Sequence, residues 1–186
     1  MFVLYAIPIG IAIGLLAGGR LGQLGELRLR WVPLILLGLA VQVAIFTDAI
    51  GRAVGDAGPA LYAASTALVF VAVLRNIQVP GVALIALGAG CNLAAIVANG
   101  GWMPADPHAL AAIGGQSDGY TNSIVVADPA LGPLTDIFAL PAWLPLANVF
   151  SIGDVLIGVG IAVTIALAMR AGRVAGADKT SAATHL

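Results

Sequence analysis

Charge is what this chain has least of. Of 186 residues, 9% are Asp, Glu, Lys or Arg, where a water-soluble domain carries about a quarter. So few charges cannot cover a surface that faces water. With 60% hydrophobic residues and a mean hydropathy of +1.03, the expected solvent is lipid. Cysteine is nearly absent. Cys91 stands alone inside an apolar run, which excludes an intramolecular disulfide and offers no metal-binding spacing. The two histidines, His108 and His185, are far apart, and neither has a Cys or His at ligand spacing. No metal and no cofactor is expected. Basic residues form no cluster outside short segments and the net charge is −1, so nucleic acid is not an expected partner. No basic residue precedes the first apolar run, which therefore reads as a retained helix and not as a signal peptide.

What is present is a series of five apolar runs, at about 2–18, 31–47, 59–74, 80–98 and 153–170. A run of 17 residues makes about 26 Å of helix, enough to cross a hydrocarbon core. The expected fold is an all-α integral membrane protein: one membrane domain over residues 1–175, with 176–186 as a flexible cytoplasmic tail. Gly10, Gly14 and Gly18 recur every four residues, a stripe that lets helix backbones approach closely. Gly158, Ala162 and Ala166 on the last helix offer a similar face to a partner. Arg20, Arg28, Arg30, Arg75, Arg170, Arg173 and Lys179 fall on one side of a five-span chain and only Arg52 on the other. The positive side marks the cytoplasm. The N-terminus is then outside and the C-terminus cytoplasmic.

The interval between the fourth and fifth runs, residues 99–150, is expected to be an ordered outward-facing cap. It carries six of the ten prolines and no Lys or Arg, yet its Leu, Ile, Val and aromatic content exceeds that of a disordered linker. Asp106-Pro107 before HALAAI, closed by Gly114-Gly115, predicts a short capped helix. QSDGYTNS (116–123) is turn chemistry. Leu134–Leu140 is expected to form one short helix on the membrane surface. Trp102, Phe138, Trp143 and Phe150 suit headgroup depth.

Polar residues inside the spans are few, and their depths agree. Gln42 sits about 6 Å in from the outer end of its helix, Ser65 and Thr66 about 9–10 Å, and Asn92 about 10 Å below Asn99. Gln42, Thr66, Asn92 and Asn99 are therefore candidates for a polar recess that opens outward and holds a ligand. The simpler account is that they hydrogen-bond across helices. Two acids border the same region. Ser151-Ile152-Gly153-Asp154 fits a capping box, which makes Ser151 and Asp154 structural. The alternative pairs Asp136 with Asp154 as a catalytic dyad, one protonated acid beside one carboxylate.

Phe150, Asp154 and Ile157 resemble the last signature of signal peptidase II, a small helical membrane bundle with two catalytic aspartates at the outer surface. That signature's Asn and Ala are Ser151 and Gly153 here. Its partner signature would fall on LTDIF, with Pro133 and Ile137 in place of its Asn and Arg, and Asn99-Gly100-Gly101 echoes its Asn-x-Gly motif. The whole chain resembles domain-of-unknown-function family 5317, bacterial membrane proteins, through five runs, NGGxMP (Asn99–Pro104), LTD (Leu134–Asp136) and SIGDVLI (Ser151–Ile157). That resemblance implies a multi-pass place in the bacterial cytoplasmic membrane and no established activity. The expected role is non-catalytic: binding a lipid or hydrophobic ligand, or serving as an accessory subunit beside other membrane-protein subunits. The alternative is an aspartyl hydrolase or peptidase at the outer surface.

Overall fold

A computed structural model describes residues 2–114 and 123–171. The chain is a mostly helical bundle. After a 3₁₀ turn at Phe2–Tyr5 come α1 (Ala6–Leu16), α2 (Val32–Ile45), α3 (Asp48–Val54), α4 (Gly58–Leu74), α5 (Val82–Ala98), α6 (Pro107–Ala112) and α7 (Ile152–Ala168). One helical stretch among the described residues, Ala49–Leu74, is long and apolar enough to cross a membrane. Phe2–Leu16, Val32–Ile45, Val82–Ala98 and Ile152–Ala168 are apolar but shorter.

Local chemistry sets the ends. Pro33 and Pro59 stand in the first turns of α2 and α4, where no backbone donor is lost. A Schellman turn closes α5. Gly100 takes φ +69°, its N–H donates to the carbonyl of Val97, and the N–H of Gly101 donates to that of Ile96 at 2.8 Å. A side chain at Gly101 would meet the backbone of Pro59, 2.5 Å from its carbonyl oxygen. The end of α5 is thus seated against the start of α4.

The bundle is a row. Its principal packing runs α2–α4–α5–α7–α1, with α7 between α5 and α1. Small residues make both of the α7 seams. A Cβ on Gly10 would lie 2.9 Å from the Cα of Ala162, and one on Gly14 would lie 3.3 Å from the Cα of Ala166. Van der Waals contact between such close backbones is what holds helices together where hydrophobic burial cannot. Gly18 does not join the stripe; α1 ends at Leu16 and Gly18 turns the chain at φ +77°. Nor does the Gly158, Ala162, Ala166 face wait for a partner. It is buried, with α1 and Phe2 against it.

The cap departs from an all-α reading. It contains two two-stranded pairs: β1 (Met103–Pro104) runs parallel to β2 (Ser123–Ile124), and β3 (Phe138–Ala139) antiparallel to β4 (Val149–Phe150). The helix expected over Leu134–Leu140 is a 3₁₀ turn at Gly132–Leu134 followed by extended chain. Pro133 fits that first turn, and Thr135 at ψ 179° ends it. Asp136 then bridges to Ala105, its N–H donating to the carbonyl of Pro104 and its carbonyl accepting from Asp106, both at 2.9 Å. The short helix after Asp106 is α6, with Oδ1 of Asp106 accepting from the N–H groups of His108 and Ala109. The first helix is tied under the cap. Phe2 stacks on Phe150 at 4.3 Å, Phe138 joins them, and Tyr5 donates to the carbonyl of Pro145. The expected turn at 116–123 lies almost wholly, and the tail at 176–186 wholly, outside the described residues.

Candidate functional site

The polar centre of the molecule is the seam where α5 meets the start of α7. Ser151 is fully buried at the N-cap of α7. Its Oγ accepts from the N–H of Asp154 at 3.1 Å, and Oδ2 of Asp154 accepts from the N–H of Ser151 at 3.0 Å. That is a complete capping box, and it satisfies two donors that a helix start otherwise leaves unpaired. Asn92 of α5 closes the arrangement. Its Nδ2 donates to Oδ1 of Asp154 at 3.0 Å, and its Oδ1 accepts from Ser151 Oγ at 2.8 Å. Asn92, Ser151 and Asp154 therefore form a ring across two helices.

The ring needs glycine on both sides. A Cβ on Gly153 would collide with Oδ1 of Asn92 and lie 2.7 Å from the carbonyl oxygen of Gly88. One on Gly88 would collide with the carbonyl oxygen of Gly153. The two backbones touch there, which brings the Asn92 amide within reach of the cap.

The other candidates fall into separate groups. Gln42 of α2 donates to Oγ1 of Thr66 on α4 at 3.3 Å, and the Thr66 and Ser65 hydroxyls donate back to the carbonyl of Tyr62. Asn99 holds the cap strap. Its Nδ2 donates to the carbonyls of Ala95 and Ala130, and its Oδ1 accepts from the N–H of Ala130 at 2.9 Å. Asp136 is buried in the cap, 4% exposed, beside Thr135 at 2%. Between these groups stands Tyr62. It packs against the Ala95, Ile96 and Met103 cluster and meets Phe46 edge-on at 5.0 Å. In the sequence Tyr62 stands four residues before Thr66 and so shares its helix face. Its place near the start of an apolar run, four residues from a polar side chain, is the signal that could have marked it.

Chemically, Asp154 presents a carboxylate with both oxygens already accepting, held by a helix start and a neighbouring helix. No group of three His, Cys, Asp or Glu among the described residues is gathered to hold a metal. A second polar tie lies at the far end of the row. Asn76, 5% exposed, donates to the carbonyls of Ala72 and Arg30 and accepts from the N–H of Arg30 at 2.6 Å. Arg20 donates its N–H to Met169 at the same end of α7, and Arg75 lies 6.0 Å over the Trp31 ring.

No curated protein and no solved structure matches the chain. The model of a family of unknown function matches residues 26–166, a stretch that includes α2 to α6 and the Asn92–Ser151–Asp154 ring. The chain belongs to that family, DUF5317.

Proposed function

We propose that the chain is a five-span protein of the bacterial cytoplasmic membrane, N-terminus and cap outside, with a non-catalytic role as an accessory subunit of a membrane complex. Helices of 17 residues reach about 26 Å, the lower end of what spans a bilayer. Large apolar side chains stand exposed along the row, among them Leu36 and Val43 on α2, Leu87 and Val97 on α5, and Ile9 and Ile13 on α1. Water would not tolerate so much apolar surface. The basic residues near Met169, Asn76 and Trp31 gather at the end opposite the acids of the cap, which supports the orientation. With Cys91 replaced by Ala, Ala142→Cys in the cap should react with an impermeant maleimide on intact cells. Gln78→Cys, between α4 and α5, should react only after the membrane is opened. The reverse pattern would invert the topology.

The observation that carries the accessory role is the open row. α1 packs on α7 and α2 on α4, so both flanks of the sheet of helices offer large apolar side chains to a neighbour. Gln42 bonds to Thr66, Asn92 to Ser151 and Asp154, and Asn99 to backbone, ties that suit residues joining helices to one another. Purification in mild detergent should therefore recover the protein in a particle well above the mass of one chain, with other membrane proteins in fixed ratio. Recovery only as a lone monomer would sink this reading.

A second reading is an outer-surface aspartyl hydrolase or peptidase using Asp136 and Asp154; it draws on Asp136 being buried in the cap and Asp154 standing at the start of the helix that follows the cap. The resemblance of Phe150–Gly158 to signal peptidase II points the same way.

A further inference from the structure

At the end of the row opposite the cap lies a cleft of about 370 Å³. Three segments line it: the stretch after α1, the α4–α5 turn and the last turn of α7. Its apolar wall includes Leu27, Val79 and Leu167, and its polar wall Gln23, Glu26, Arg28 and Gln78. Gln23 is the residue left unresolved by the fold. Its Oε1 is shut off from solvent and has no hydrogen-bond partner among the described residues. The last torsion of a glutamine is soft, so this oxygen can turn into the cleft and accept there. Neither the Glu26 nor the Arg28 side chain has an ion-pair partner among the described residues.

We propose that this cleft holds the headgroup of a phospholipid whose phosphate sits beside an ammonium with N–H donors, the phosphoethanolamine class. Arg28 and Gln78 supply donors for the phosphate. Glu26 and the Gln23 oxygen accept from the ammonium. The apolar wall takes the glycerol and the first methylenes of the chains. The donor matters: a choline headgroup has the same charges but no N–H to give to Gln23, and a glycerol headgroup gives hydroxyl donors but nothing cationic for Glu26.

This proposal rests on the membrane orientation given above, under which the cleft opens at the cytoplasmic leaflet. The test is native mass spectrometry of the full chain released from nanodiscs of equal parts phosphatidylethanolamine, phosphatidylcholine and phosphatidylglycerol. One retained phosphatidylethanolamine is expected, favoured about tenfold over phosphatidylcholine, the size of one charge-assisted hydrogen bond. Gln23→Leu should erase that preference, and Glu26→Gln should weaken it independently should the first variant fold poorly. Arg28→Gln should lower retention of all three lipids. Soluble glycerophosphoethanolamine at millimolar concentration should not displace the lipid. If it binds the cleft while the lipid is not retained, the ligand is a solute and the lipid assignment fails. Equal retention of the three lipids, or a preference for phosphatidylglycerol, would also overturn it. Carbonate washing separates the two levels: a chain stripped from membranes refutes the orientation, whereas an inserted chain without lipid preference refutes only the cleft.

Discussion

Gly153→Ala is expected to unseat α7 from α5. The added methyl would collide with Oδ1 of Asn92 and meet the backbone of Gly88 at 2.7 Å, and backbone cannot move aside as a flexible side chain can. Overpacking of this kind costs about 1–3 kcal/mol. Displacing Asn92 also opens the ring, and an unmade hydrogen bond to a charged group adds about 1.5–3 kcal/mol. A total near 3 kcal/mol lowers the Tm of a chain this size by about 6–12 °C. Thermal unfolding in detergent micelles measures it. Gly22→Ala is the control, because a Cβ there meets nothing within 4 Å. Equal Tm values for the two variants would mean that the α5–α7 approach is looser than described.

Asp154 carries the other large effect, and two substitutions divide its possible roles. Asp154→Ala removes the acceptors for the Asn92 amide and for the N–H of Ser151. The lost cap is worth about 1 kcal/mol, and the stranded Asn92 donor about 1–3 kcal/mol more. A fall of about 3 kcal/mol in unfolding free energy is expected. Asp154→Asn keeps one oxygen that can still accept from Ser151, so its loss should stay near 1 kcal/mol. Under the non-catalytic reading, stability and complex assembly follow that order, and Asp154→Asn retains function. Under the hydrolase reading, Asp154→Asn abolishes turnover while the chain stays folded. A phenotype as severe for Asn as for Ala, at near-normal Tm, would therefore favour the hydrolase.

The helices themselves were legible. Five apolar runs become five helices with ends within about two residues of the runs, counting the 3₁₀ turn at Phe2–Tyr5 with α1, because in these stretches composition, proline placement and capping all agree. The order of the helices in the row was not legible. Small-residue stripes on α1 and α7 mark faces that allow close approach, but a stripe does not name its partner, and the last helix turned out to answer the first. The site was half legible. Asn92 stands out as a polar residue within an apolar run, and Ser151 and Asp154 as a capping box at the start of another. Their union depends on Gly88 facing Gly153, a contact 65 positions apart in the chain that no local pattern encodes. The cap was misread at Leu134–Leu140 for a different reason. Two-residue strands have no periodicity, and the segment is held extended by backbone bonds to Pro104 and Asp106, far away in sequence.

The position of α7 bears on how the chain is made. Helix α1 leaves the ribosome before the other described helices, yet the helix it packs on is the last of them to emerge. Until then its Gly10 and Gly14 face has no mate, and α5 lacks its closest neighbour. Partners so distant in sequence make for slow assembly and a long exposure of unfinished surface. During synthesis the α2–α4 and α4–α5 contacts can form in order, while α1 waits for its mate until α7 has emerged. A ribosome stalled before Ile152 would leave α1 without the helix it packs on and α5 without its most extensive contact.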